Sequence, residues 1–274
     1  MNRDFLLDQI KLKKSFLCVG LDTDINRIPK HLHNLEDPIF EFNKAIIDAT
    51  KDLAIAYKPN TAFYEALGPH GMESFHKTVN YIPDDIMIIA DAKRGDIGNT
   101  SHLYAKSFFE YYNVDALTVA PYMGSDSVKP FLEYDDKWVI ILGLTSNEGC
   151  FDFQQQRLEN ERYLYEEVLK TAATYGTADN TMFVVGATKS DYIHNIRKIV
   201  PDHFFLVPGI GAQGGNLQEV CRAGMNDQVG LIVNSSRSII YAGDGEDFAV
   251  QAQSKARELQ EEMQEILEAH KILK

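Results

Sequence analysis

Residues 86–97 read Ile-Met-Ile-Ile-Ala-Asp-Ala-Lys-Arg-Gly-Asp-Ile, an uninterrupted apolar run that ends in charged residues. A run that is apolar at successive positions, rather than at every second one, is typical of a strand in a parallel sheet covered on both faces. Seven other short runs recur along the chain, nearly all of them continuous, with helix-like stretches between them. The eight runs cover residues 16–21, 54–57, 86–90, 116–119, 138–142, 182–185, 204–207 and 230–233. Antiparallel hairpins are therefore not expected.

The number and spacing of these runs predict a closed barrel. The 274 residues divide into eight strand–helix units of roughly 34 residues each, and the total is near the ~250 residues typical of a (β/α)8 barrel. We therefore predict an α/β fold, a (β/α)8 TIM barrel, built as a single domain over residues 1–274. An open doubly wound sheet is the alternative. A last helix is expected over residues 246–273, with an apolar stripe that packs on the barrel or, alternatively, on a coiled-coil partner.

Composition and charge exclude several classes of protein. Apolar residues make up 45% of the chain and charged residues 24%, as in globular proteins. Lysine and arginine total 27 against 40 acidic residues, and no basic stripe interrupts that negative balance, so no nucleic-acid partner is expected. The apolar runs are far shorter than a membrane span, and residues 1–14 are too charged for a signal peptide. We expect a cytoplasmic protein with no membrane contact.

Charged side chains follow two of the predicted strands at their carboxyl ends, where the active sites of barrels lie. Asp91 and Lys93 are two residues apart, so in an extended backbone both side chains leave the same face. Lys58 follows the preceding strand, and Asp96 lies in the loop after Lys93. A lysine among carboxylates keeps its charge, which suits a proton donor. A plain salt bridge is the alternative, but a Lys–Asp–Lys–Asp set in one cavity predicts a catalytic device.

The loops after the last two strands are candidates for phosphate binding. Residues 209–214 fit the pattern G-x-G-x-x-G, but too few residues follow them for a dinucleotide-binding domain. In barrels of this kind, these loops commonly bind phosphate through backbone N–H groups, and Arg237 adds a bidentate partner. We therefore predict a substrate monophosphate. His31 and His33 lack a further ligand, and Cys18, Cys150 and Cys221 are widely spaced, so neither a metal site nor a disulfide is predicted.

Several motifs resemble one family of enzymes. Residues 91–97, Asp-Ala-Lys-Arg-Gly-Asp-Ile, resemble the D-x-K-x-x-D-I signature of the orotidine 5′-phosphate decarboxylases. Residues 18–22 look like the first-strand motif of that family, residues 208–215 like its phosphate-side lid, and residues 236–239 like its last phosphate motif. The motifs occur in the family's order and cover most of the chain. Residues 57–64 and 120–124 look more like the longer bacterial subgroup (type 2) than the compact one.

The resemblance implies an activity and a set of residue roles. It implies the decarboxylation of orotidine 5′-phosphate to UMP and carbon dioxide in de novo pyrimidine biosynthesis, without a cofactor, by a homodimer with shared active sites. Lys93 would protonate carbon 6 of the pyrimidine, Asp91 would face the departing carboxylate, and Lys58 would bridge the ribose and Asp91. The remaining implied roles are ribose binding by Asp22, an apolar wall from Ile97, pyrimidine binding by Ser146, phosphate binding by Gln213 and Arg237, and contact with the partner's site by Asp96 and Thr100.

Two features of the sequence leave alternatives open. The segments around Lys58, Tyr-Lys-Pro-Asn, and around Ser146, Leu-Thr-Ser-Asn-Glu, differ from the compact subgroup. Residues 145–160 form the longest irregular stretch, which predicts either a binding loop or a disordered insertion. A metal-dependent sugar-phosphate decarboxylase or aldolase of the same barrel group is the alternative enzyme. A barrel that binds a phosphate ligand without catalysis is the alternative outside enzymes.

Overall fold

Eight parallel strands close into a barrel in sequence order, each pairing with its neighbours in the chain and β8 pairing with β1. The computed structural model describes residues 1–186, 190–209 and 216–273. The strands are β1 Leu17–Leu21, β2 Ala56–Pro59, β3 Met87–Arg94, β4 Ala116–Val119, β5 Trp138–Leu144, β6 Thr181–Val185, β7 Phe204–Pro208 and β8 Leu231–Ser235. The predicted (β/α)8 barrel is confirmed, and the open doubly wound sheet is wrong.

Helices cover the outside of the barrel. In the described ranges they are α1 Arg3–Lys13, α2 Pro38–Thr50, α3 Thr61–Glu65, α4 Gly68–Tyr81, α5 Gly98–Lys106, α6 Ser125–Val128, α7 Leu164–Ala172, α8 Ser190–Ile199, α9 Leu217–Gly224, α10 Arg237–Ile240 and α11 Phe248–Ala269. Shorter 3₁₀ turns cover Lys30–Asn34, Lys129–Glu133 and Glu148–Phe151, and a π-helical turn, Ser107–Tyr111, follows α5. Among the residues that the structure describes, no helix is long and apolar enough to cross a membrane.

Helix α1 lies across the amino-terminal end of the barrel. Its N-cap residue Asn2 accepts a hydrogen bond from the Phe5 backbone N–H at 3.0 Å, which satisfies one free donor of the first turn. Arg3 then donates to the carbonyl oxygens of Ala178 and Asp202, which precede β6 and β7. The indole N–H of Trp138, the first residue of β5, donates to the Met1 carbonyl at 2.8 Å. The helix therefore covers the end opposite to the predicted site.

Helix α11 packs its apolar stripe against α2 and the barrel. The buried ring of Phe42 in α2 stacks on Phe248 with 5.1 Å between centroids. Ala252, Ala256 and Met263 are also buried. They recur at the three-to-four-residue spacing of one helix face. The stripe is thus buried within the chain itself.

Phe42→Ala should lower the free energy of unfolding by about 3–5 kcal/mol, because the substitution leaves a cavity where two stacked rings met. Urea titration followed by far-ultraviolet circular dichroism measures the change. Leu12→Ala is the control, since Leu12 is exposed on α1, and it should change the same quantity by no more than about 0.5 kcal/mol. Equal stability of the two variants would contradict the packing of α2 against α11.

Candidate active site

The carboxyl ends of β1, β2 and β3 bring four charged side chains together at the mouth of the barrel. Lys58 lies opposite Gly20 in the β1–β2 register, so it is close to Asp22 at the end of β1. A parallel bridge joins Asn60, which follows β2, to Asp91 in β3, and it places Asp91 beside the carboxyl end of β2. The site is therefore positioned by strand register, which a closed barrel fixes on both sides of every strand.

The four side chains form a row of alternating charge. The Lys58 ammonium donates to Asp91 Oδ2 at 2.8 Å and lies 3.8 Å from Asp22 Oδ1. The Lys93 ammonium donates to the other carboxylate oxygen of Asp91, Oδ1, at 2.5 Å. Each charge therefore lies beside one or two charges of the opposite sign.

Burial and neighbouring charge act in opposite directions on this row. Burial by itself would raise the pKa of Asp91, but the charges and hydrogen bonds of Lys58 and Lys93 outweigh it and hold that pKa well below its usual range. Burial would likewise lower the pKa of Lys58, but the carboxylates of Asp91 and Asp22 outweigh it and keep that pKa above its ordinary value. Asp91 and Lys58 are therefore both ionised near neutral pH.

The backbone at Lys93 differs from the extended form that the sequence predicted. Lys93 has φ +48°, in the left-handed region. The β3–β4 register is irregular here, since Ala90 pairs with Leu117 and the next pair is Arg94 with Val119. The alternation of an extended strand is therefore not what brings Asp91 and Lys93 together. A non-glycine residue in this conformation costs on the order of 1–3 kcal/mol, and such strain is common at functional sites.

Two hydroxyl groups contact the row, and the sequence predicted no individual role for either of them. Thr118 on β4 donates to Asp91 Oδ1 at 3.1 Å and accepts from the Lys93 backbone N–H at 2.8 Å. Ser236 donates to Asp22 Oδ2 at 2.6 Å. A Cβ on Gly20 would lie only 2.7 Å from the Ser236 hydroxyl oxygen, so glycine is needed there. The one hydroxyl residue inside the apolar β4 run was the available signal for Thr118.

The Asp22 carboxylate has one oxygen facing the site. Its Oδ1 atom is buried and makes no hydrogen bond with the described part of the chain, while Oδ2 is held by Ser236. The Tyr241 hydroxyl donates to the Asp22 carbonyl at 3.0 Å and accepts from the Asp24 N–H at 2.7 Å. Asp22 is therefore fixed through its backbone carbonyl and through Oδ2 of its carboxylate. The other carboxylate oxygen, Oδ1, can accept a hydrogen bond from a ligand.

The phosphate-side residues are only partly described. Arg237 is exposed at the first position of α10. The ends of β7 and β8 are adjacent, with Pro208 opposite Asn234, and Gly209 follows with φ +92°, which favours glycine. Gln213 and the rest of the predicted lid, residues 210–215, lie outside the described residues.

Residues 145–160 fold back on the end of β5. The Thr145 backbone N–H donates to Gln154 Oε1 at 2.8 Å, and Gln154 Nε2 returns a hydrogen bond to the Thr145 hydroxyl at 2.8 Å. The Tyr192 hydroxyl on α8 donates to Gln155 Oε1 at 3.1 Å. Ser146 is half-buried and packs against Gly186, where a Cβ would lie 2.8 Å from the Ser146 nitrogen. This stretch therefore makes contacts with the end of β5 and with α8.

Asp96 does not join the row, although the sequence predicted it in one set with Lys58, Asp91 and Lys93. In the part of the chain that the structure describes, it makes no hydrogen bond or ion pair with them, and it lies with Ile97 and Thr100 in the loop after β3 and the first turn of α5. The Asp96 carboxylate accepts from the Ile97 N–H at 2.8 Å. Ile97 is 57% exposed, and Thr100 is also exposed. Within one chain, these three residues are therefore at the edge of the site.

A metal ion has few candidate ligands here. Residues 1–186, 190–209 and 216–273 contain no cluster of three or more histidine, cysteine, aspartate or glutamate side chains that could hold one. The Lys58 ammonium lies between the Asp22 and Asp91 carboxylates, where a cation bridging the two would otherwise bind. Cys18 is nearby on β1, but burial raises the pKa of its thiol to about 12, so it stays protonated.

Comparison with known proteins identifies the family. The model of the orotidine 5′-phosphate decarboxylase / HUMPS family matches residues 15–252. The chain belongs to this family. A protein of Flavobacterium johnsoniae named orotidine 5′-phosphate decarboxylase is 61% identical over 98% of the chain and 99% of its own length. One of Bacteroides fragilis with the same name is 60% identical over the same shares. The structure of Leishmania donovani OMP decarboxylase covers 96% of the chain and 97% of its own, with a TM-score of 0.82 and 38% identity.

Lys58→Met should lower the free energy of unfolding by about 3 kcal/mol near neutral pH, because it leaves two buried carboxylates without their shared cation. Because the pKa of Asp91 is lower in the folded chain than its ordinary value of 3.8, the ionised carboxylate stabilises the fold at pH values above 3.8. This contribution is lost as the pH falls below that value. Because the pKa of Lys58 is higher in the folded chain than its ordinary value of 10.5, the charged ammonium stabilises the fold at pH values below 10.5. This contribution is lost as the pH rises above that value. Urea titrations should therefore give the largest difference from wild type between about pH 4 and pH 10.

A matched control is available on α11. Lys255 donates to Glu258 at the same 2.8 Å, but both side chains are exposed. Lys255→Met should therefore change the free energy of unfolding by less than about 1 kcal/mol. A Lys58→Met variant no less stable than this control would contradict a buried, stabilising ion pair.

Proposed function

We propose that Lys93 and Asp91 carry the reaction that this chain catalyses, the decarboxylation of orotidine 5′-phosphate to UMP and carbon dioxide in pyrimidine biosynthesis. The reaction is supported by the family and by relatives 61% and 60% identical that carry the name of this enzyme. The residue roles are supported by one observation above the others, the row of alternating charge formed by Asp22, Lys58, Asp91 and Lys93.

Lys93 is the acid in this proposal. The bond between carbon 6 and the carboxylate breaks, its electron pair stays on carbon 6, and that carbon takes a proton from Lys93 Nζ. The pair has little delocalisation in the ring, so a nearby ammonium stabilises the charge as it develops. Asp91 keeps the ammonium at a fixed place through the 2.5 Å hydrogen bond. Asp91 is ionised and faces the departing carboxylate.

The other residues bind and orient the substrate. Asp22 has a buried carboxylate oxygen available for a ribose hydroxyl, and Lys58 bridges the ribose and Asp91. Ser146 contacts the pyrimidine edge at the end of β5. Arg237 binds the phosphate, together with Gln213, which lies outside the described residues. Binding energy from the phosphate, far from carbon 6, orients the reacting part of the substrate and so raises turnover.

A cofactor is not needed in this mechanism. The cation that stabilises the carbanion is the Lys93 ammonium, and the cation between Asp22 and Asp91 is the Lys58 ammonium. The metal-dependent sugar-phosphate alternative would need a metal ion at the row, and the lysine already occupies the position between the carboxylates.

The working form is a homodimer with shared active sites. Apolar side chains beside Asp96 and Thr100 are exposed in the single chain. They are Ile97 and Leu103, both 57% exposed, and Met123, 47% exposed, whose methyl carbon would lie 3.5 Å from a Cβ on Gly95. Exposed apolar residues grouped in this way are typical of a protein interface. A second copy covering this face would place Asp96 and Thr100 at the partner's site, and Ile97 would form part of the apolar wall near the leaving group.

Three broader assignments accompany the mechanism. The three cysteines are free and buried, which supports a reducing compartment, the cytoplasm. The match over nearly the full length of bacterial relatives supports the longer subgroup. Packing of α1 and α11, from the two ends of the chain, on the same barrel supports one domain over residues 1–274.

Lys93→Ala should lower kcat by more than about 10³-fold, because it removes both the proton donor and the charge that stabilises the carbanion. The ultraviolet change as orotidine 5′-phosphate becomes UMP measures turnover, and the wild-type rate should be the same with and without EDTA. The melting temperature and UMP affinity of the variant serve as controls for folding. A folded Lys93→Ala variant with near-normal turnover would overturn the role of Lys93, and loss of wild-type turnover in EDTA would favour the metal-dependent alternative.

Mixing inactive Lys93→Ala with inactive Asp96→Ala protein should restore part of the activity. A hybrid dimer has one site that combines an intact Lys93 from one chain with an intact Asp96 from the other, so random exchange gives up to about a quarter of wild-type activity per total site. The same ultraviolet assay measures the recovery, and native mass spectrometry measures subunit exchange. Complete exchange without recovery would contradict the shared site.

A further inference from the structure

We infer that Thr118 is a positioning residue, whose hydroxyl group holds the Asp91 carboxylate and the Lys93 backbone in their reactive arrangement. The inference rests on the proposed roles of Asp91 and Lys93. Thr118 lies on β4 and is 1% exposed, so its hydroxyl serves no surface contact.

The contacts of the Thr118 hydroxyl use both of its hydrogen-bonding capacities. It donates to Asp91 Oδ1 at 3.1 Å and accepts from the Lys93 N–H at 2.8 Å. The carbonyl of Ala90 is a more distant acceptor at 3.5 Å. Since a hydroxyl has one proton and two lone pairs, it can make the first two bonds at once. Because the Asp91 carboxylate is charged, it is a stronger acceptor for the Thr118 hydroxyl than the Ala90 carbonyl is.

The Lys93 backbone N–H needs the Thr118 hydroxyl as an acceptor because the β3–β4 ladder is irregular at this residue. The bulge between Ala90 and Arg94 interrupts the β3–β4 ladder, which resumes where the Ala120 N–H donates to the Arg94 carbonyl at 2.9 Å. The Lys93 N–H donates to the Thr118 side chain, which therefore replaces a strand carbonyl. The left-handed φ of +48° is thus held by a side chain of the neighbouring strand.

The same hydroxyl connects the backbone of Lys93 to its ammonium. Asp91 Oδ1 accepts both the Thr118 hydroxyl and Lys93 Nζ. Loss of the hydroxyl would release the Lys93 backbone from its strained form and leave Asp91 Oδ1 with one donor fewer. The ammonium would then shift relative to carbon 6, and small displacements of a catalytic group reduce rate far more than they reduce binding.

Kinetics of Thr118→Val and Thr118→Ser test this inference. Valine keeps the shape of the side chain and removes the hydroxyl, whereas serine keeps the hydroxyl. We expect kcat to fall about 10- to 100-fold in Thr118→Val, with KM for orotidine 5′-phosphate and Kd for UMP within about twofold of wild type. Thr118→Ser should recover kcat to within about threefold. Hydrogen exchange of the residue-93 amide should be faster in the valine variant and return toward wild type in the serine variant.

Thr181→Val is the matched control for a purely structural effect. Thr181 is a buried threonine at the first position of β6, at the opposite end of the barrel, with its hydroxyl 3.2 Å from Asn180 Oδ1. Its kcat should match wild type. Thr118→Ala removes the same hydroxyl without placing a methyl group against the ion pair, and it replaces Thr118→Val if the latter does not fold.

Several results would overturn the inference. They are a normal kcat in the folded variant without the hydroxyl, a serine variant as slow as the valine variant, and an equal loss of kcat in Thr181→Val. Any of these, with Lys93→Ala inactive, would remove the role of Thr118 and leave the mechanism intact. An active Lys93→Ala would instead overturn the proposed mechanism itself.

Discussion

The buried ion pair between Lys58 and Asp91 is the interaction on which the site depends. Each of these groups would lose its charge if buried alone, because desolvation disfavours the ionised form. Placed 2.8 Å apart, with Asp22 and Lys93 at the two ends of the row, they stay ionised together. Removing any one member would leave its neighbour as a buried charge without full compensation. The row therefore behaves as a unit, held by the register of three adjacent strands.

The two ends of the barrel divide stability and chemistry between them. At the amino-terminal end, Arg3 of α1 donates hydrogen bonds to the backbone carbonyls before β6 and β7, and these contacts hold α1 over that end of the barrel. At the carboxyl end lie the left-handed Lys93, the interrupted β3–β4 ladder and an Asp22 oxygen that accepts no hydrogen bond from the described residues. Such features cost stability and persist only when the surrounding structure determines them. A closed sheet with an apolar interior provides that support.

Much of the fold, and three of the four residues of the charged row, could be predicted from sequence because they follow from local patterns. The sequence predicted Asp96 as the fourth member, and the structure has Asp22 there instead. Continuous apolar runs report burial on both faces, and their number gave the barrel. The same patterns do not report the dihedral angle of one residue, so the left-handed Lys93 was missed. Helix α1 was missed because residues 1–14 are rich in charge, and only two positions, Leu6 and Ile10, bury apolar side chains fully. The π-helical turn after α5 depends on tertiary packing and leaves no periodic signal.

Thr118 shows why such a site is hard to complete from sequence. Its partners Asp91 and Lys93 are 27 and 25 residues away in the chain, so a hydroxyl residue in the apolar β4 run does not by itself show which groups it contacts. The bulge in β3 creates an N–H without a strand acceptor, and the site needs a donor for Asp91. One hydroxyl on the adjacent strand satisfies both requirements, whereas an apolar residue of the same size would satisfy neither. A single polar residue in a buried strand is therefore informative when its neighbour carries the chemistry, because burial without a partner would be too costly to retain.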